Sequence, residues 1–164
     1  MRKLLIVCSL LAMNGCASIL QRPATGPLYS DAVHTLGPAG TAWITFLRPV
    51  PGIVYAGEPA QIEVDGTSKG SVAYLGFMNL DVAGGKHELT VAFNGSCKVD
   101  VELKEGQHYY FEIDVRSSAA SATLVGGYIG SALESAGKPC GGAFSVNPVP
   151  EAVALSKLSN LRQS

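Results

Sequence analysis

The sequence predicts a mainly β chain: an antiparallel β-sandwich of about seven strands with a short C-terminal helix. Three observations predict it. Between residues 41 and 116, apolar and polar side chains alternate with period two in successive stretches, as in strands with one face buried and one in water. Asp65-Gly66 and Asn94-Gly95 stand between such stretches, and both dipeptides favour two-residue hairpin turns. Beyond Pro148 and Pro150 the period lengthens, and Leu155, Leu158 and Leu161 fall on one helical face.

Residues 41–47 open the sandwich. Ala42, Ile44 and Phe46 take one face and Trp43, Thr45 and Leu47 the other, until Arg48-Pro49 stops the run. Residues 61–64 lead into Asp65-Gly66, residues 71–74 return, and residues 77–82 form a further strand before a turn at Ala83-Gly84-Gly85. Leu89, Val91 and Phe93 alternate with Glu88, Thr90 and Ala92. Cys97, Val99, Val101 and Leu103 then point one way, and Lys98, Asp100, Glu102 and Lys104 the other. Tyr109, Phe111, Ile113 and Val115 repeat the pattern against His108, Tyr110, Glu112, Asp114 and Arg116. Residues 117–142 are rich in Gly, Ala and Ser and read as a packed loop or short helix, residues 142–146 as an edge strand, and residues 149–161 as the closing helix.

The two clearest strands are expected to pair as a hairpin across Lys104-Glu105-Gly106. That register sets Lys98 opposite Glu112 and Glu102 opposite His108, so opposite charges face each other on a solvated surface. Asp100, Glu102 and Glu112 then share a face as a candidate binding site, against the plainer reading of ordinary inside/outside alternation. Arg48, ending a core strand, reads either as a binding residue or as a strand-end charge.

The first residues have a different logic. Arg2 and Lys3 precede an apolar run at residues 4–13, too short to span a bilayer, and Met13-Asn14-Gly15-Cys16 follows. This order resembles the signal peptide and lipobox of bacterial lipoproteins. The resemblance implies removal of residues 1–15, acylation of Cys16 with chains such as palmitate, and, with Ala17 in place of Asp, retention at the periplasmic side of the outer membrane. Several acyl chains are needed there, since a single one binds only reversibly. Residues 16–40, with Pro23, Pro27 and Pro38 and little periodicity, read as a flexible tether to a domain at residues 41–164. One or two helical turns are expected at residues 30–36, capped by Ser30.

In that compartment Cys97 and Cys140 remain as an even pair and are expected to form a disulfide. Net charge is −1 for 164 residues, and the Lys and Arg are scattered, which argues against nucleic acid as a partner. His34, His87 and His108 lack ligand spacing, so neither a metal nor another cofactor is predicted. Gly66-Thr67-Ser68-Lys69-Gly70 spells a nucleophile elbow, but it lies in a hairpin rather than between strand and helix.

From Gly40 onward the order of short motifs resembles a family of bacterial lipoproteins catalogued as domain of unknown function number 2846. The residues that carry it are the strand ending Arg48-Pro49, Ile62-Glu63-Val64-Asp65-Gly66, Gly84-Gly85-Lys86-His87, Glu105-Gly106-Gln107-His108-Tyr109-Tyr110, and Val149-Pro150-Glu151-Ala152 before the three leucines. The family supplies no catalytic residues to carry over. The sequence thus predicts a non-enzymatic outer-membrane lipoprotein that binds or scaffolds an envelope protein or peptidoglycan. A second reading is self-association or membrane contact through residues 124–133, where Gly126 and Gly130 form a Gly-x-x-x-Gly. An envelope hydrolase stands third.

Overall fold

The computed structural model describes residues 22–32, 37–49 and 54–164. The expected signal at residues 1–15 and the lipidated Cys16 lie outside the described residues.

The strands are β1 (Thr41–Leu47), β2 (Ala60–Val64), β3 (Thr67–Val72), β4 (Gly76–Ala83), β5 (Gly85–Ala92), β6 (Ser96–Leu103), β7 (His108–Val115), β8 (Phe144–Pro148) and β9 (Arg162–Gln163). Helix α1 (Ser117–Ser135) precedes β8, and α2 (Glu151–Leu158) precedes β9. The chain is mainly β, in a sandwich of two sheets ordered β8-β7-β1-β4-β9 and β3-β2-β5-β6. Most ladders are antiparallel, but β1 runs parallel to β7 and β4 parallel to β9.

The alternation read from sequence sorts the faces as it should. Ala42, Ile44 and Phe46 of β1 meet Phe111 and Ile113 of β7 in a core shared with Leu89 and Val91 of β5 and Cys97 and Leu103 of β6. Asp65 and Gly66 both have positive φ, 52° and 71°, which suits a two-residue turn between β2 and β3, and the β5–β6 hairpin turns at Asn94-Gly95.

The pairing of β6 with β7 does not form. β6 pairs with β5, placing Lys86 opposite Glu102 and Glu88 opposite Asp100, while β7 lies in the other sheet between β1 and β8. The loop after β6 is an arch between sheets: the Gly106 N–H donates to the Thr41 carbonyl, and the Trp43 N–H to the Gln107 carbonyl. Ala83-Gly84-Gly85 likewise passes the chain from one sheet to the other. Alternation fixes which face a residue takes but not which strand lies beside it.

Two further expectations change. α2 spans Glu151–Leu158 rather than residues 149–161, because the chain turns after Leu158 and runs as β9 beside β4. It lies on the outer face of the five-stranded sheet, where Leu158 and Leu161 pack with Leu47, Phe77 and Tyr110. Nor are residues 22–32 a free tether. Backbone hydrogen bonds hold Ala24 to Tyr74, Gly26 to Gln163 and Tyr29 to Leu161, and Ala32 is buried beside α2. The absence of periodicity marked irregular backbone, yet its N–H groups find partners along an edge the sheet leaves open. Of the helical turns expected at residues 30–36, residues 33–36 lie outside the described residues; the Asp31 and Ala32 N–H groups both donate to the Leu28 carbonyl.

Candidate functional site

The residues singled out as a possible site are split by the fold. Asp100 and Glu102 project from β6 onto the uncovered face of the four-stranded sheet, where Asp65, Lys86, His87 and Glu88 join them around a shallow cup. Glu112 projects from β7 onto the opposite side of the molecule. It is buried under α2, with both carboxylate oxygens 2.6 Å from Lys157 Nζ. It therefore shares no site with Asp100 and Glu102, and its polar face is sealed rather than solvated.

Within the cup, His87 Nδ1 lies 2.7 Å from Asp65 Oδ2 and Nε2 lies 2.9 Å from the Ala83 carbonyl, while the Glu88 N–H donates to Asp65 Oδ1. The hydrogen bond from His87 holds the Asp65 carboxyl below its ordinary value, helped by the Glu88 N–H. Glu88 and Asp100, directly opposed like charges, are relieved diagonally by Lys98, whose Nζ donates to Glu88 Oε1 at 2.7 Å. At the centre of this face Thr90 is buried, and its hydroxyl is the one buried side-chain polar atom among the described residues without a hydrogen-bond partner. No cluster of three or more His, Cys, Asp or Glu among the described residues is arranged to hold a metal.

Arg48, at the end of β1, is a strand-end charge turned inward rather than exposed. It is buried: one terminal nitrogen donates to the Glu58 carbonyl and the other to the Tyr55 carbonyl, both at 2.7 Å, and the guanidinium carbon lies 4.4 Å from the centroid of Phe144. Burial pulls it down to about 10.

Tyr55 leads from Arg48 to the feature the sequence left least defined. Its hydroxyl donates to the Ala119 carbonyl at 3.2 Å and lies beside the hydroxyls of Thr123 and Ser131, bridging the two arms of α1. α1 is a hairpin of two helical arms, broken at Gly127, where φ is +62°. The arms touch at Gly130, where a Cβ would sit 2.6 Å from the Ala122 carbonyl oxygen. Of the Gly-x-x-x-Gly pair, Gly130 thus serves close approach within the chain, while a Cβ at Gly126 would meet nothing within 4 Å and the break at Gly127 takes the two glycines off a common helical face. At the hairpin base Arg116 donates to the Gly142 carbonyl at 2.7 Å and pairs with Glu134 at 3.1 Å, and Lys138 also pairs with Glu134. Beside it Gly95 and Gly142 pack backbone to backbone, and a disulfide joins Cys97 to Cys140. The far end of the hairpin exposes Leu124, Val125 and Ile129, and Leu133 is exposed nearer the base, each between 73% and 92% accessible.

A third polar group lies under α2. The buried Thr45 hydroxyl donates to Asn79 Oδ1 and lies 2.7 Å from His108 Nε2, and His108 Nδ1 lies 3.0 Å from the Tyr110 hydroxyl. Its order resembles a nucleophile and base, but Thr45 is fully buried, so no substrate reaches its oxygen.

The chain matches no family model. It matches no curated protein. Among solved structures it is similar to the N-terminal domain of AlgF from P. aeruginosa, with 16% sequence identity and a TM-score of 0.38 over 70% of this chain and 100% of that one.

Proposed function

We propose that the chain is a lipid-anchored protein of the bacterial envelope, held through acylated Cys16 at the periplasmic side of the outer membrane, which binds or scaffolds another envelope component without catalysis. The observation that carries the binding role is the inequality of the two outer faces of the sandwich. One is covered by α2 and residues 22–32. The other is open and carries Glu63, Glu88, Asp100 and Glu102 against Lys86 and Lys98, with the unpartnered Thr90 hydroxyl among them. An excess of carboxylates on an open face suits a partner presenting cationic groups, such as a basic protein segment or an amine of the cell wall. The lipobox resemblance and the resemblance to lipoproteins of domain of unknown function number 2846 support the anchor.

A photocrosslinking residue placed at Glu102 should trap a defined partner in cells, the same residue at Val153 on α2 should not, and Asp100→Lys should abolish the Glu102 adduct. Equal trapping from both positions would sink the binding face. Turnover of an envelope sugar or peptide by the purified protein, lost in His108→Ala, would sink the non-catalytic reading. For the anchor, the mature protein should show acyl chains at Cys16 by intact mass, and Cys16→Ala should leave it unacylated.

A further inference from the structure

We infer that the tip of the α1 hairpin rests in the lipid surface to which the chain is anchored, as a second, non-covalent membrane contact. The inference deepens the anchored-lipoprotein reading and rests on it for the choice of membrane.

The tip is apolar without being a core. Leu124, Val125 and Ile129 stand out in water at the tip and Leu133 further along the second arm, while Tyr128 packs on Tyr55 and Phe93 with its carbonyl held by Asn94 Nδ2; no charged residue occurs from Ser117 to Leu133. The charges lie at the other end of the hairpin, where Arg116, Glu134 and Lys138 pair with one another. Along the hairpin's own residues the charges thus collect at the base and the exposed apolar side chains lie between it and the tip, an arrangement that suits a segment lying in an interface. The arms on either side of Gly127 are ten and eight residues, or about 15 and 12 Å of helix, at most half the hydrocarbon thickness of a bilayer. Among the described residues no helix is long and apolar enough to cross a membrane. The tip can therefore enter the boundary layer but not span it.

The position of the chain's start selects lipid over another occupant. The Arg22 N–H donates to the carbonyl of Ala56, the neighbour of Tyr55, whose hydroxyl bridges the two arms of α1. Cys16 precedes Arg22 by six residues, which reach at most about 20 Å when fully extended. With Cys16 acylated as proposed, a bilayer holding it lies within about 20 Å of Arg22, on the side of the sandwich where Ala56 and Tyr55 lead to the hairpin. The base is tied down on two sides: the Cys97–Cys140 disulfide and the Gly95–Gly142 contact hold the segment after the hairpin to β6 and the turn before it, and the buried Tyr55 of the loop before β2 bonds to both arms.

The experiment uses the exported protein reconstituted in vesicles of phosphatidylethanolamine and phosphatidylglycerol at three to one, with and without bromine on the acyl chains. Val125→Trp places a reporter at the tip, and Trp43, the native tryptophan, serves as the reference in the parent protein. Brominated lipid should reduce emission at least twofold more in Val125→Trp than in the parent, and adding Ile129→Asp and Leu133→Asp should remove that difference while the circular dichroism of the sheets is unchanged. Equal quenching of the two proteins would overturn the inference. So would a dimer in detergent that dissociates when Ile129 and Leu133 become Asp, since a second copy would then be the occupant. Intact mass separates the two readings: protein without acyl chains refutes the anchor, and the same quenching measured on that protein still decides the fate of the tip.

Discussion

Arg48 stands where β1 ends, 2% exposed, and meets two backbone carbonyls and the face of Phe144 rather than a carboxylate. A buried guanidinium is tolerable in that setting because its fork matches two acceptors at once, and a value lowered to about 10 by burial still leaves it charged at neutral pH. Its removal leaves the Tyr55 and Glu58 carbonyls without charged donors and undercuts the loop that carries Tyr55 to α1. Arg48→Ala is therefore expected to cost about 3 kcal/mol in urea denaturation, and Arg48→Lys to recover less than half, because one ammonium cannot span both carbonyls. A loss in Arg48→Ala below about 1 kcal/mol would mean that water replaces the guanidinium without penalty. Nothing in the sequence around Arg48 foretold this. Both acceptors are main-chain carbonyls of a loop without periodicity, and a carbonyl leaves no mark on composition. Alternation did show that Glu112 and Asp100 were polar positions on strands, but the cover over Glu112 comes from α2, contributed 45 residues further along the chain by Lys157.

At the scale of elements, α1 and α2 are both small helices with opposite dependencies. α2 exists because its apolar side is buried: Ala154 and Leu158 meet Leu47, Phe77 and Tyr110. The leucine spacing in the sequence marks this only in part: Leu158 is buried, Leu155 is exposed, and Leu161 is buried beyond the helix's end. Leu158→Ala is expected to cost about 3 kcal/mol, as for a fully buried leucine whose cavity only partly collapses, and to raise amide exchange across β9 more than across β6. A uniform rise across both sheets would show that α2 does not act as a local cover. α1, by contrast, buries only Ala119, Ser131 and Ser135 among the described residues, and its residues favour neither face. Its hairpin shape depends on Gly127, the Gly130 contact and polar links at its base, none of which produces a periodic signal; hence the segment read only as a packed loop or short helix. The base links make it sensitive to acid. The hydrogen bond from Lys138, with help from Arg116, holds the Glu134 carboxyl down to about 2 against an ordinary 4.5. A carboxyl lower in the folded than in the unfolded chain stabilises above its unfolded value, and that contribution is lost as pH falls from 4.5 towards about 2. Proteolytic cutting within residues 117–135 should accelerate across that window. In Glu134→Gln the cutting should be faster at neutral pH and nearly independent of pH over the same range; an unchanged acid profile would remove Glu134 as the cause.

For the whole molecule, the disulfide has more to hold than its position in the sequence suggests. Cys97 is the second residue of β6 in one sheet, and Cys140 precedes β8 in the other, so the bond closes a loop containing β7 and the α1 hairpin and crosses the seam between the sheets. The sequence supplied the pair by elimination and compartment, but not this placement, because it assigned β6 and β7 to one sheet. With β7 paired to β1 instead, the chain between the two cysteines leaves one sheet and crosses to the other. For a sequence separation of 43 the chain-entropy argument gives about 4 kcal/mol, roughly 10 °C in Tm for a domain of this size. Gly95 and Gly142 nevertheless touch backbone to backbone beside the bond, and the Ala143 N–H donates to the Phe93 carbonyl, so the seam is packed independently of sulfur. Reduction, or the double variant Cys97→Ala and Cys140→Ala, should therefore leave a folded sandwich with its α2 amides still protected, a Tm lower by about 10 °C and faster exchange confined to α1 and β8. Exchange that rises equally in α2 would show that the bond holds the sandwich as a whole. A Tm shift below about 2 °C would refute the chain-entropy account of this bond.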